Sequence, residues 1–169
     1  MTFKTNNFAF NEENTRKAHN IISRYPIGRQ KSAVLALLDL AQRQHQGWLP
    51  QLAIEYVAKL LDMPYIRAYE IATFYSMFNL NPVGKYHIQV CGTTPCWLRG
   101  ADNTLKKLEK KLAIKCTETT NDKLFSLVEV ECLGACINAP VIQVNDEYFE
   151  NVTENKIDEL LEKLYSKKD

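Results

Sequence analysis

The 169-residue sequence lacks several things that would have settled its class at once. No stretch approaches the ~20 consecutive apolar residues that a membrane-spanning helix needs. The opening segment "MTFKTNNFAFNEENTRK" has no apolar core of the kind a secretory signal carries, and its acidic residues and single Arg argue against an organellar transit peptide. Charge of one sign is also missing. Lys plus Arg number 21 and Asp plus Glu 20, a formal net charge of +1. That balance gives no reason to expect nucleic acid or an anionic membrane as the main partner. Neither G-x-G-x-x-G nor a Walker A motif occurs, so the chain shows no nicotinamide, flavin or nucleotide site of its own. There is no C-x-x-C and no low-complexity tract or internal repeat.

What is present is an ordinary globular composition, 46% hydrophobic, with five cysteines at 91, 96, 116, 132 and 136. An odd count disfavours a simple disulfide framework. With no export signal, the chain is expected in a reducing compartment, where paired cysteines bind metal or do chemistry more often than they cross-link.

The first half reads as helices. "NEENTRKAHNIISRYP" sets Ala18, Ile21, Ile22 and Tyr25 at helical spacing and stops at Pro26. "KSAVLALLDLAQRQHQG" puts Val34, Leu37, Leu38 and Ala41 on one face and ends at Gly47. "PQLAIEYVAKLLDM" starts with Pro50 in the first turn and carries Leu52, Ala53, Tyr56, Val57 and Leu60 as its apolar side. "PYIRAYEIATFYSMF" repeats the device from Pro64, with Ile71, Phe74, Tyr75 and Phe78 as a stripe facing the core. Four short helices suggest a small bundle over residues 1–80.

The period changes after the turn residues Asn81-Pro82 and Gly84. "KYHIQVC" alternates as a strand ending on Cys91, and "KLFSLVEVEC" as one ending on Cys132. Between them "RGADNTLKKLEKKL" is an amphipathic helix with Leu105, Leu108 and Leu112 inward and Lys106, Lys107, Lys110 and Lys111 on a solvated face. "PVIQVN" and "EYFEN" form a hairpin at Asn145-Asp146. "TENKIDELLEKLYSKKD" closes as a helix capped by Thr153, with lysines in its last turn. A further strand is expected in "IKCTETTNDK". Residues 81–169 thus read as an α/β or α+β domain. Trp48 and Trp97 are expected to pack, His87 to be packed or exposed, and Cys116 to be a buried or half-buried free thiol.

The cysteines carry the chemistry. Cys91-x4-Cys96 and Cys132-x3-Cys136 each follow a predicted strand, so two adjacent strands would bring four thiols to one sheet edge. Neither pair has the C-x-x-C spacing of a thioredoxin dithiol. A Rieske centre needs two histidines on the loops, but His19, His45 and His87 all lie away from them. Zinc and a [2Fe–2S] cluster both remain. The small-residue loops Gly92-Thr93-Thr94-Pro95 and Leu133-Gly134-Ala135 favour the cluster, because they let backbone N–H groups come close to sulfur.

"VCGTTPCWLRG" and "VECLGACINAPVIQVN" closely resemble the thioredoxin-like [2Fe–2S] subunit of respiratory complex I, the proton-pumping NADH:quinone oxidoreductase of bacteria and mitochondria. "LDLAQRQHQGWLP", "YEIATFYSMF" and "NPVGKYHIQVC" extend the likeness over essentially the whole chain. The resemblance implies an α+β protein, with an N-terminal helical bundle followed by a thioredoxin-like α/β [2Fe–2S] ferredoxin domain. It implies that Cys91, Cys96, Cys132 and Cys136 ligate one [2Fe–2S] cluster and that Cys116 does not. It further implies a one-electron acceptor, off the main wire to quinone, near an FMN held with NADH by a neighbouring subunit. The implied partners are that FMN/NADH-binding subunit and the large iron–sulfur subunit. The implied location is the cytoplasmic side of a bacterial plasma membrane (the matrix side in a mitochondrion), reached through the complex and without insertion. A homologous subunit of an NAD-linked hydrogenase or formate dehydrogenase is the nearest alternative. A zinc-stapled interaction module and a thiol oxidoreductase are alternatives of other classes.

Overall fold

The structure, a computed structural model, describes residues 7–166. The first six residues of the segment read for a leader lie outside it, as do Lys167 and Lys168 of the expected C-terminal lysines. The chain divides into two compact units, Met1–Pro82 and Val83–Asp169.

Among the described residues, the first unit holds four α-helices, α1 (Glu12–Ser23), α2 (Val34–Gln44), α3 (Gln51–Leu60) and α4 (Tyr65–Phe74), with a 3-10 turn at Gln30–Ala33 leading into α2. The Asn11 side chain caps α1 by accepting from the Asn14 N–H at 2.8 Å, and Glu12 and Glu13 sit in the dipole-favoured first turn. α2 buries Val34, Leu37, Leu38 and Ala41 as its periodicity requires. It stops where Gln46 and Gly47 turn to positive φ. Buried Gln42, on the same helix, ties down the far end of the unit. It donates to the Met77 carbonyl at 3.0 Å and accepts from the Asn79 N–H at 2.7 Å. An amide at a core position gives no apolar signal, so sequence periodicity passes over it.

Two helical faces differ from expectation. Pro50 stands at the N-cap of α3, with ψ 154°, one step before the first turn. The helix is rotated so that Ala53, Ile54, Val57 and Ala58 face the core, leaving Leu52 exposed. In α4 the stripe Ile71, Phe74, Tyr75 and Phe78 does not form. The helix ends at Phe74, and Tyr75 turns extended at ψ 114°, so the 3.6-residue period no longer applies. Phe78 folds back into the core, whereas Phe74 is 81% exposed and Tyr75 is also exposed. The buried face of α4 is the small pair Ala68 and Ala72. Trp48 packs edge-on against His45 at 4.7 Å, as expected.

The second unit is a four-stranded sheet with helices. Its strands are β1 (Tyr86–Cys91), β2 (Phe125–Val130), β3 (Ile142–Val144) and β4 (Glu147–Phe149), in the order β2-β1-β3-β4. β1 and β2 are parallel, and the other pairings are antiparallel. Parallel neighbours need a long crossover. It is supplied by α5 (Thr94–Leu98) and α6 (Ala101–Leu112). Ile88, Val90, Phe125, Leu127, Ile142 and Val144 form one core with Leu108 and Leu112 of α6 and with Ile157, Leu160, Leu161 and Leu164 of α7 (Glu154–Ser166). Thr153 caps α7 by accepting from the Lys156 N–H at 3.4 Å, and Asn145 makes the β3–β4 turn at φ 53°.

Gly84 marks where the chain enters the sheet. A Cβ there would lie 2.7 Å from the Phe125 backbone carbon, so only glycine allows the approach. The strand expected in "IKCTETTNDK" is absent. Thr117 at φ 76° breaks the extended run, and the segment makes a single bridge, Thr119 with Ser126. It still covers the outer edge of β2 through hydrogen bonds from the Thr117 N–H to Leu127 and from the Thr120 N–H to Phe125, at 2.7 and 2.8 Å. The lysine face of α6 is not wholly solvated either. Lys107 and Lys111 both reach the Asp158 carboxylate of α7, at 2.9 and 3.1 Å.

Candidate functional site

Two parallel neighbours end on the same side of a sheet. Cys91 is the last residue of β1, and Cys132 follows β2 by two positions, since that strand ends at Val130, earlier than expected. Cys96 lies inside α5, a short helix where the sequence reads as a loop. Cys136 opens a 3-10 turn at Cys136–Asn138. The first pair is buried, at 1% exposure each, and the second is exposed.

The four thiols form two pairs. The Cys132 and Cys136 sulfurs are 3.5 Å apart. Cys91 and Cys96 hydrogen-bond to each other; the charge on Cys91 is felt by Cys132 and Cys136, and that on Cys136 by Cys96. In each pair one thiol is eased toward the thiolate and the other held protonated. Burial pushes Cys91 up, but the Thr93 hydroxyl at 3.3 Å and the backbone N–H groups of Leu133 and Thr93 outweigh it, so Cys91 lies below its ordinary value. Burial and the hydrogen bond to Cys91 push Cys96 up to about 11. The Gly134 N–H, donating at 3.4 Å, lowers Cys132, helped by Cys136 and the Thr93 hydroxyl. Cys136 is raised, chiefly by its hydrogen bond to Cys132. These are the directions expected when two thiols share one proton and backbone donors favour the charged form of one of them.

The loop residues build this field. Gly134 sits at φ 84° with nothing near the place a Cβ would occupy, so glycine is required there by backbone conformation and not by crowding. That conformation aims its N–H at Cys132. A Cβ on Gly92 would meet the Glu129 carboxyl. The Val141 N–H donates to Cys96, and the Val141 carbonyl accepts from the Cys91 N–H at 3.1 Å.

The structure therefore pairs Cys91 with Cys96 and Cys132 with Cys136, with the Thr93 hydroxyl acting on both Cys91 and Cys132. It leaves Cys116 elsewhere, half-buried after α6, with its N–H on the Glu109 carboxylate at 3.0 Å. Sequence reading missed three contributors. Thr93 was legible as a hydroxyl inside the first cysteine loop. The N–H groups of Leu133 and Val141 carry no side-chain signal. Beside the site Trp97, Leu98 and Ile137 are exposed, the last at 95%. Trp97 therefore does not pack as expected; its indole N–H reaches Asp102 at 3.2 Å.

Among the described residues, no group of three or more His, Cys, Asp or Glu side chains is gathered closely enough to hold a metal ion. Four thiols in two pairs, met by backbone N–H donors, match the donor set of a [2Fe–2S] cluster, which takes four thiolates over two irons. Nor, among the described residues, is any helix long and apolar enough to cross a membrane.

Comparison with known proteins agrees with this chemistry. The profile of the thioredoxin-like [2Fe–2S] ferredoxins matches residues 18–165. The E subunit of the NADH-quinone oxidoreductase of Rickettsia typhi is 63% identical over 164 residues, covering 96% of each chain. That of Rickettsia prowazekii is 64% identical over 155 residues, covering 92% of this chain and 88% of the relative. Among solved structures, an air-oxidised NAD+-reducing [NiFe]-hydrogenase superposes with a TM-score of 0.68 at 22% identity, over 79% of this chain and 23% of that one. That likeness bears on the fold. The match over nearly the whole length, with the relatives above, settles the grouping: the chain belongs to the thioredoxin-like [2Fe–2S] ferredoxin family.

Proposed function

We propose that the chain is the iron–sulfur electron-transfer subunit of an NADH:quinone oxidoreductase, and that Cys91, Cys96, Cys132 and Cys136 hold its single [2Fe–2S] cluster. The observation that carries the site is the meeting of two cysteine pairs at one sheet edge, with N–H groups of Gly134, Leu133, Thr93 and Val141 turned to sulfur. The relatives' identity of 59–64% carries the choice of complex. It favours NADH:quinone oxidoreductase over the hydrogenase or formate dehydrogenase reading, since the hydrogenase likeness concerns the fold.

When bound, the cluster supplies a one-electron acceptor that a reduced flavin can serve. The rest is the work of this chain. Its backbone donors offset negative charge on the thiolates, and such hydrogen bonds to sulfur are among the things that set a cluster's potential. Burial of Cys91 and Cys96 keeps water from one side, while Cys132 and Cys136 leave the other accessible to a partner. In this reading the flavin mononucleotide and NADH belong to a neighbouring subunit, and the large iron–sulfur subunit is the second partner. Attachment to the inner face of a bacterial plasma membrane, or the matrix face in a mitochondrion, would come through the complex. Residues 1–80 would serve as the docking domain and 81–169 as the cluster domain.

The test is metal and sulfide analysis of anaerobically prepared protein with a reduced-state electron paramagnetic resonance spectrum. Iron and labile sulfide in equal amounts are expected. One zinc per chain without iron would replace this reading with a structural metal module.

A further inference from the structure

The two cysteine pairs differ in access. Cys91 and Cys96 are 1% exposed, whereas Cys132 and Cys136 are both exposed. The exposed sulfurs already stand 3.5 Å apart on one short loop, Leu133-Gly134-Ala135, whose Gly134 takes the left-handed conformation. Both cysteines lie outside the strands, so a bond between them joins no two strand residues. A soluble oxidant can reach these two and not the buried pair.

We infer that in the metal-free chain Cys132 and Cys136 form a reversible disulfide, while Cys91 and Cys96 stay reduced. The exchange balances with a low-molecular-weight disulfide as oxidant. One of the exposed cysteines, as its thiolate, attacks a sulfur of the oxidant. A mixed disulfide forms and one thiolate leaves. The other cysteine gives up its proton to solvent and attacks the first cysteine's sulfur, releasing the second thiolate. Two electrons pass from the cysteine pair to the oxidant, and one protein disulfide replaces two thiols. A dithiol reductant reverses both steps. The closed bond takes two of the four thiolates out of use, so it bars metal loading until it is reduced. That consequence rests on the ligand assignment proposed above; the disulfide itself does not.

The test uses the full-length, metal-free chain incubated anaerobically with oxidised glutathione, then unfolded, alkylated and digested. The inference predicts that the peptide carrying Cys132 and Cys136 is lighter by two hydrogens and escapes alkylation until reduced, while Cys91 and Cys96 alkylate fully. Cys132→Ser should instead leave a stable glutathione adduct on Cys136. Alkylation of all four cysteines, a cross-link to Cys91 or Cys96, or a lasting glutathione adduct on the unaltered chain would each overturn it. Iron and sulfide uptake separates the two readings. The oxidised chain should take up about tenfold less than the same chain after reduction. Equal uptake would overturn the barrier to loading. A reduced chain that takes up none would overturn the ligand assignment, with the peptide map still deciding the disulfide.

Discussion

Single residues set the chemistry of this chain, and the cysteines divide by what surrounds them. Cys132→Ser removes a thiolate from the four-thiol site and should abolish or alter the reduced-state paramagnetic signal, because ligation and integrity of such a site are coupled. Cys116→Ser, away from that site with its N–H on Glu109, should leave the signal unchanged. An unchanged spectrum in the first variant, or loss in the second, would show the ligand set to be misassigned. Gly134→Ala tests the backbone. At φ 84° an added Cβ is strained by about 1 kcal/mol even with empty space around it, and the N–H that meets Cys132 should tilt away. The expected result is a shifted cluster potential with a small fall in melting temperature. Gly84→Ala should differ in kind. Its Cβ would strike the Phe125 backbone, so a loss of about 1–3 kcal/mol in chemical denaturation is expected without any change at the site.

At the level of elements, what the sequence made legible depended on regular spacing. α2 and α6 run long enough for their apolar positions to repeat: Val34, Leu37, Leu38 and Ala41 of α2 and Leu108 and Leu112 of α6 are buried as periodicity predicts, with Leu105 only partly so. β1 and the β3–β4 hairpin likewise follow from alternation and from Asn145. The reading failed where a period was carried past an element's end. Phe74 and Phe78 share a helical phase, yet the backbone turns extended at Tyr75 and sends them apart. Denaturation of two variants measures this directly. Phe78→Ala should cost about 3–5 kcal/mol, as for a buried aromatic. Phe74→Ala should change stability by under about 0.5 kcal/mol, as for an exposed position. The reading also failed for Lys107 and Lys111, read as solvated while their tips bond across to Asp158, and it passed over Gln42. At the site, the two cysteine pairs were legible because each follows a predicted strand, and the ligand set came from the family resemblance. The donors around them were not, because a backbone N–H is the same in every residue but proline.

For the molecule as a whole, the second unit carries a pH dependence separate from the thiols. His87 is half-buried on β1, and its buried Nδ1 finds no hydrogen-bond partner among the described residues. Burial lowers its pKa from the ordinary 6.5. The unfolded chain therefore takes up a proton at higher pH than the folded chain does. Above about pH 6.5 both are neutral and stability is unaffected; as pH falls below it, the unfolded state gains the proton first and stability declines. Melting temperature should therefore drop between pH 7 and pH 5, and His87→Gln should flatten that slope. A slope unchanged by the substitution would assign it to other groups. The largest claim is that the two cysteine loops make one iron–sulfur site. Its most direct measurement is iron, zinc and labile sulfide quantified together on anaerobically prepared full-length protein, with the spectrum of its reduced form. About two irons and two sulfides per chain are expected, with a paramagnetic signal that is lost or altered in Cys132→Ser. Zinc without iron, or a spectrum unchanged by that substitution, would contradict it.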